Sequence, residues 1–577
     1  MRQQKIKMIR LSLAFSIALP IIIGMIPIMH ATGQPAFKNV TTESGISHQF
    51  VVYEGMFGGG ACVFDVNHDG FEDLYITGGM NDDALYLNNG DGTFKNIFKD
   101  SGLDITSRYV TQGVAGADIN KDGWVDLFIT TITVKDSVKT IPRAENLLFL
   151  NNGDSTFRDV TEEYGLKDLI SFSMGVCFGD INADGYPDAY IGNYFQDYDG
   201  KLSAINDATI VNANSTSKGY LLRNVNGEYF SNVYSDYGLS YKGFGFGGSF
   251  TDFDNDHDLD LFVNHDFGFK AMPNVFLQNE YPNNEFINRA KELAMDLQIN
   301  AMGTAIGDYN FDGFLDYYVT NIRFNRFMVS QGAGKPYVDK SKELGMDYVS
   351  ISWGTNFADF DHDTDLDLFV ANGDLNPNDV PLPDYYFENN NGTFTEKAPV
   401  VGLNDYGVGR GSVVFDMDND GDLDLLVINQ KPVYNYPVAS ETHLYRNDGA
   451  SGNWLKVVLK GTDADTHGIG SRVEIVVGKI KMIREIDGGS SHLSQNSTIA
   501  HFGLGPTTAV DSVIVIWTGG KKQILTNQPV NKLITIIEVP DEKENKKAIV
   551  GVALGAMLMA IVLVRYFVTK RKKNHSA

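Results

Sequence analysis

The sequence predicts an all-β fold: a seven-bladed β-propeller, then a small β-sandwich domain and a C-terminal transmembrane helix. Three observations predict it. An aspartate-rich loop, D-x-[DN]-x-D-G-x-x-D or a close variant, recurs seven times, starting at Asp65, Asp118, Asp180, Asp252, Asp308, Asp359 and Asp416. Its starts lie 51 to 72 residues apart, and self-similarity at such a period marks a repeat architecture. Short strand-like runs flank each loop, as residues 114–119 and 127–130 do around the second. Another hairpin follows, here 146–150 and 156–160 across the turn Asn151, Asn152, Gly153, Asp154. Four strands per copy with little room for helix favour a propeller over a solenoid. From Asn453 onward the acidic loops stop, and alternating apolar runs at 455–459, 471–477, 481–486, 513–517 and 533–538 read as a separate all-β domain.

The elements follow in order. In residues 1–33, Arg2, Lys5, Lys7 and Arg10 precede an apolar run at 11–29 and the small residues Ala31 and Gly33, the form of an export signal peptide, with an uncleaved anchor as the alternative. The propeller occupies 34–450. Its copies share a phase marker, Phe37, Phe94, Phe157, Phe230, Phe286, Tyr337 and Phe394, each nine residues ahead of an apolar position. The first marker precedes every loop, while the hairpin at 443–449 has no Phe-led strand behind it. Residues 37–40 are therefore expected to complete the seventh blade and close the ring. The sandwich spans 453–540 and a charged stalk 541–547. Residues 548–568, with Arg565 snorkelling, are long enough to cross a bilayer, and Lys570, Arg571, Lys572 and Lys573 mark 569–577 as a cytoplasmic tail. That places the protein in the cell membrane, single-pass, with its β domains extracellular or periplasmic.

The loops carry the chemistry. Asp65, Asn67, Asp69 and Asp73 set hard oxygens at positions 1, 3, 5 and 9, and the carbonyl of Phe71 at position 7 adds another. Gly70, at position 6, permits a left-handed turn. The pattern returns in Asp118, Asn120, Asp122, Trp124 and Asp126; in Asp180, Asn182, Asp184, Tyr186 and Asp188; and in Asp308, Asn310, Asp312, Phe314 and Asp316. Three loops place aspartate at position 3: Asp252, Asp254, Asp256, Asp258 and Asp260; Asp359, Asp361, Asp363, Asp365 and Asp367; Asp416, Asp418, Asp420, Asp422 and Asp424. Oxygen-only ligands on a flexible turn suit Ca²⁺, in up to seven sites, with Mg²⁺ and Mn²⁺ as competitors. His257 and Thr364 replace the turn glycine, a strain of about 1 kcal/mol each, so those two sites are expected to be weaker or differently shaped. The ligand carboxylates at positions 1, 3, 5 and 9 number 24, close to the formal net charge of −26, so the acidity is largely the metal sites. Such acidity argues against a nucleic-acid partner.

Other candidates are thin. Cys62 and Cys177 each stand three residues before a loop, where the other copies hold Ala115, Ser249, Ala305, Asn356 and Val413, so packing explains them. His467, His492 and His501 match no metal or triad spacing and read as surface or turn residues. With the aspartates assigned to loops, no distinct carboxylate pair, nucleophile elbow or phosphate loop remains, and no enzyme is expected. Residues 194–218 are the longest insertion and a candidate binding loop, and Asn39, Asn214, Asn391 and Asn496 head N-x-[ST] triplets.

On these residues the repeats resemble the FG-GAP/VCBS repeats of integrin α-chain propellers, with glycine-rich lead-ins at 57–60 and 244–248. Residues 453–455, 468–470, 484–485, 494–496, 502–505 and Trp517 resemble the ASPIC/UnbV module. The pairing is that of the cartilage acidic protein-like family. The resemblance implies calcium binding outside the cell and adhesion or matrix contact, and it implies no catalytic residues. The function expected is a calcium-binding, membrane-anchored surface protein that binds a protein or glycan ligand, the ions rigidifying the turns. Alternatives are an enzyme using the propeller channel, for example on carbohydrate, and a scaffold within an envelope assembly.

Overall fold

The computed structural model describes residues 34–52, 58–132, 144–170, 172–195, 216–374, 380–432 and 435–540. Within them strands dominate, because each repeat alternates β-branched and aromatic runs with turns that only aspartate, asparagine and glycine tolerate. Seven antiparallel sheets follow one another. The second is typical: Val110–Ala117, Asp126–Ile132, Leu147–Asn151 and Phe157–Asp159 pair in sequence order. The sixth gains a fifth strand, Ile322–Phe324, donated by the hairpin of the fifth.

Phe37–Asn39 pairs antiparallel with His443–Asn447 as the outer strand of the seventh sheet, where the phase marker places it. The markers are buried at the sheet edges, each 4–7% exposed. An apolar cluster lies between successive sheets. One joins Phe128 of the second to Phe178 of the third, and another joins Phe262 of the fourth to Tyr317 of the fifth. The architecture is thus all-β and propeller-like.

Beyond Asn453 two further sheets form. One holds Ala500–Gly505, Asn453–Lys460 and Lys532–Ile537, the last two parallel; the other holds Ile480–Glu485, Arg472–Val477, Ala509–Ile516 and Lys522–Pro529. Ala500–Gly505 and Lys522–Pro529 escape the sequence pattern, the first because it is buried throughout and the second because it is mostly polar. This domain does not stand apart. Leu455, Val473, Phe502 and Trp517 share one core with Val176, Phe178 and Leu222 of the third sheet.

The membrane assignment is corrected. Among the described residues no helix is long and apolar enough to cross a membrane; the α-helix at Ala398–Val401 has four residues against the roughly 20 a span requires. A single-pass location in the cell membrane therefore does not stand. The segments 1–33, 541–547, 548–568 and 569–577, with the greater part of the 194–218 insertion, lie outside the described residues.

Candidate metal centres

Each loop begins one residue after an inner strand and ends on the first residue of the next, so position 9 belongs to the sheet and positions 3 to 7 project from it. Position 6 is left-handed in all seven: Gly70, Gly123, Gly185, Gly313 and Gly421 have φ of 83° to 100°, while His257 has 75° and Thr364 91°. The two non-glycine residues therefore hold the strained conformation. Position 4 is left-handed too, in His68, Lys121, Ala183, Asn255, Phe311, His362 and Asn419, at φ of 53° to 65°. No residue type marks that position in the sequence.

The turn is held by its own acids. The position 7 N–H donates to the position 5 carboxylate in all seven loops, at 2.9 to 3.1 Å. In six loops the position 6 N–H donates to Oδ2 of position 1 at 2.7 to 3.0 Å, including Thr364 to Asp359. Loop 4 departs from this: the His257 ring faces Asp252, with Nδ1 3.4 Å from Oδ2. Of the two doubtful loops, only this one has a different shape.

Position 9 has a second task that its place in the motif does not announce. Asp73, Asp126, Asp188, Asp260, Asp316, Asp367 and Asp424 are at most 1% exposed. In each, Oδ2 accepts the position 2 N–H at 2.8 to 3.4 Å. Oδ1 accepts the N–H of Asn88, Asn151, Asn224, Asn279, Ser330, Asn389 or Asn447 on the third strand at 2.7 to 2.8 Å. Except at Asp367, whose Oδ2 also accepts the Tyr386 hydroxyl at 2.7 Å, each oxygen keeps a lone pair for a cation. In five repeats the asparagine side chain then reaches the preceding sheet: Asn151 to the Val66 carbonyl, Asn224 to Ile119, Asn279 to Ile181, Asn447 to Phe360, and Asn88 to Met417 of the seventh. Sequence reasoning missed these staples, though an asparagine two residues ahead of a turn glycine, as at Asn88, Asn151 and Asn447, is a usable signal.

Carboxylate oxygens converge within 4.8 Å in three groups: Asp252, Asp254 and Asp260; Asp359, Asp361 and Asp363; Asp416, Asp418 and Asp424. These are the loops with aspartate at position 3. In loops 1 to 3 the position 3 asparagine instead donates its amide to position 5, as Asn67 does to Asp69 at 2.9 Å. Burial first, and repulsion between neighbours after it, pushes Asp359 and Asp363 up to about 8; repulsion from Asp359 adds to burial at Asp361, pushed up to about 7. Asp258 is likewise raised to about 8 and Asp73 to about 8, burial leading in both. The donor set fits a hard divalent cation on a further count. Oδ1 of Asp416, Oδ1 of Asp418 and Oδ1 of Asp258 are buried without a hydrogen-bond partner, and buried carboxylate oxygens require one. The aspartate clusters can hold metal ions, which would cross-link the turn and neutralise it.

Three cations of the C-terminal domain face these loops. Lys456 Nζ lies 2.7 Å from Asp416 Oδ2 and 2.8 Å from Asn419 Oδ1, both ends of the pair about 2–3% exposed. Arg472 lies 3.4 Å from Asp252 and 3.2 Å from Glu485, and also donates to Asn255 and to the Asp252 carbonyl. Arg484 shares with Asp359 the wall of a cavity of about 150 Å³ between the domains; burial lowers its guanidinium to about 10, with Asp359 and Asp308 opposing.

The same domain fills the channel. Residues 487–499 leave the sandwich and run between the inner strands. Leu493 O accepts from Val114, Ser494 Oγ from Ala61, Gln495 from Gly116 and Asn496 from Val414, while Gly488 O accepts from Phe178, Ser491 Oγ from Thr355, and His492 Nδ1 meets Met302 O. His492 ring edges also meet Phe246 of the fourth sheet. All seven inner strands thus border this plug. Seven glycines lie along these strands, Gly60, Gly113, Gly175, Gly247, Gly303, Gly354 and Gly411, each five residues before a loop, where the neighbouring inner strand or the plug comes close. A Cβ at Gly60 would stand 1.9 Å from Leu493 O, and one at Gly303 2.4 Å from Trp353 O. His492 and His501 are buried, contrary to the surface role expected of them, and burial lowers His492 to about 3. Asn496 lies between the domains, half-buried, its amide bonded to Asp487 and Asn356. Cys62 and Cys177 are buried free thiols.

Comparison with known proteins agrees with this geometry. Residues 65–129, 139–191 and 359–427 match the FG-GAP-like repeat, and residues 461–546 match the ASPIC and UnbV domain. The chain carries FG-GAP-like repeats and a C-terminal ASPIC and UnbV domain. Its homologues include Cartilage acidic protein 1 of Mus musculus, 28% identical over 513 residues, 84% of this chain and 74% of the relative. The Homo sapiens protein of that name is 27% identical over 504 residues, 84% and 72%. Among solved structures, the rhamnogalacturonan lyase PL11 of Bacillus licheniformis is 12% identical and covers 69% of this chain and 74% of its own, at a TM-score of 0.35.

Proposed function

We propose that this chain is a seven-bladed, calcium-stabilised propeller that binds a protein or glycan ligand, in adhesion or a related contact, and that its ions are architectural. The observation that carries the reading is the loop itself: seven copies of one turn, each with its position 9 carboxylate held at both oxygens, present the same oxygen donors. Seven successive sheets, with Asn88 of the first bonded to Met417 of the seventh, support the blade count.

A binding role is favoured over catalysis because the channel, where a propeller enzyme would seat its substrate, holds residues 487–499 of the same chain. Ligand contact then falls to the outer surfaces. The test is a thermal melt of the full chain in calcium and in chelator, followed by ligand capture under both conditions. Calcium at 100 times its Kd adds about 2.7 kcal/mol per site, enough to raise Tm clearly. A melt unmoved by chelation would sink the calcium reading, and capture indifferent to calcium would leave the ions a purely structural part.

A further inference from the structure

The seven loops share one backbone but not one electrostatic environment. In loop 7, Asp416 Oδ2 takes the Gly421 N–H at 2.9 Å and the Lys456 ammonium at 2.7 Å, with both charged groups almost wholly buried. Lys456 sits in the first strand of the C-terminal domain, Asn453–Lys460, and its ammonium also binds Asn419, the left-handed residue of the turn. It therefore grips both the charge and the bend. In loop 4, Arg472 does the same from the strand Arg472–Val477, bonding Asn255 at the matching left-handed position, the Asp252 carbonyl and the Asp252 carboxylate. Glu485 shares that guanidinium. Arg484 serves loops 5 and 6 more distantly, across the cavity it shares with Asp359.

Loops 1 to 3 lack this arrangement. Among the described residues no lysine or arginine forms an ion pair with Asp65, Asp118 or Asp180. Lys121, inside loop 2, directs its ammonium to the Asp463 carbonyl and over the Tyr186 ring, away from its own acids. The first aspartate of these loops takes N–H groups of its own turn, as Asp180 does from Asp184 and Gly185, and in loop 2 Asp118 also takes the hydroxyl of Thr466 from the C-terminal domain, a neutral donor rather than a lysine or arginine.

We propose that Lys456 and Arg472 are built-in counter-cations that keep loops 7 and 4 in shape without a metal, whereas loops 1 to 3 depend on a bound divalent cation for theirs. The inference rests on the calcium reading of the loops. An ion remains welcome in loop 7, where Asp416 Oδ1 and Asp418 Oδ1 have no partner, but the turn does not await it. The loops so divide into three that depend on a metal and two whose first aspartate carries a lysine or arginine of the C-terminal domain.

The experiment is hydrogen exchange by mass spectrometry on the full chain, with calcium chloride and then with chelator. Removal of calcium is expected to speed exchange about tenfold or more across 65–73, 118–126 and 180–188, and less than about twofold across 252–260 and 416–424. Equal acceleration in both groups would overturn the division while leaving the calcium reading intact. Unchanged exchange everywhere would overturn the calcium reading, and the division with it. Lys456→Met provides the second arm: 416–424 should become as calcium-dependent as loop 1, and persistence of its protection in chelator would overturn the role of Lys456. Should that variant fail to fold, the native chain decides the question alone.

Discussion

Among the described residues no lysine or arginine pairs with the first aspartate of loops 1, 2 and 3, which takes N–H groups of its own turn and, in loop 2, the Thr466 hydroxyl; in loops 4 and 7 the same aspartate meets a cation delivered by another domain. Both sets are left-handed at positions 4 and 6 and anchored at position 9, though loop 4 lacks the hydrogen bond from position 6 to position 1. A repeat can thus preserve a fold exactly where its electrostatics diverge. Local sequence sets the turn, and the partner across the interface sets what the turn needs.

The largest expected effect breaks the comparison. Lys456→Met leaves the Asp416 carboxylate buried beside its neighbours without its cation, and losing one partner of a buried pair costs about 3–5 kcal/mol. Urea unfolding in chelator should show that loss and calcium should return part of it; a loss identical in both conditions would count against any exchange between lysine and metal. Next, Asn151→Ala and Asn447→Ala each orphan a buried carbonyl, Val66 or Phe360, at a cost of about 2 kcal/mol. The first staples sheet 2 to loop 1 and should show the greater calcium sensitivity, read as the difference between melts with and without the ion.

Acid probes the plug that both sets share. Burial holds the His492 ring at about 3, so an unfolded chain protonates near its ordinary 6.5 while the folded one does not. Its contribution is intact above about 6.5 and lost as pH falls below that value, about 1.4 kcal/mol at pH 5.5. His492→Gln should flatten that part of the stability profile; an unchanged slope from pH 6.5 to 5.5 would assign the acid loss to other groups. Smallest, Thr364→Gly should relieve a left-handed threonine and stabilise loop 6 by about 1 kcal/mol. A destabilised variant would mean that the Thr364 side chain earns more than its strain.

The turns and the blade strands were legible because their constraints are local. Gly70 and its equivalents, the spacing from Asp65 to Asp73, and Phe37 as the partner of the last hairpin all follow from residue types at fixed offsets. The docking of the second domain was not legible. Nothing near Lys456 in the chain says that its ammonium ends beside Asp416, 40 positions earlier, and nothing around His492 marks it as channel-lining. The span expected at 548–568 lies outside the described residues, and no helix among those described is long and apolar enough to cross a membrane. Gly60, Gly113 and their five counterparts lie between these extremes, visible as a register but meaningful only once the close approach of neighbouring inner strands and the plug is seen.

The pairing of the first strand with the last hairpin sets an order of events during synthesis. The Ala36 N–H bonds Asn447, 411 positions later, so Phe37–Asn39 must wait while nearly the whole propeller is translated. Throughout that wait it is an open edge, and open edges recruit other chains. At three residues, with Lys38 and Asn39 exposed, it offers little for a stranger to grasp. Seams of this kind favour brevity over strength, since the ring gains its grip on Phe37 only after the nascent chain has passed its most vulnerable stage.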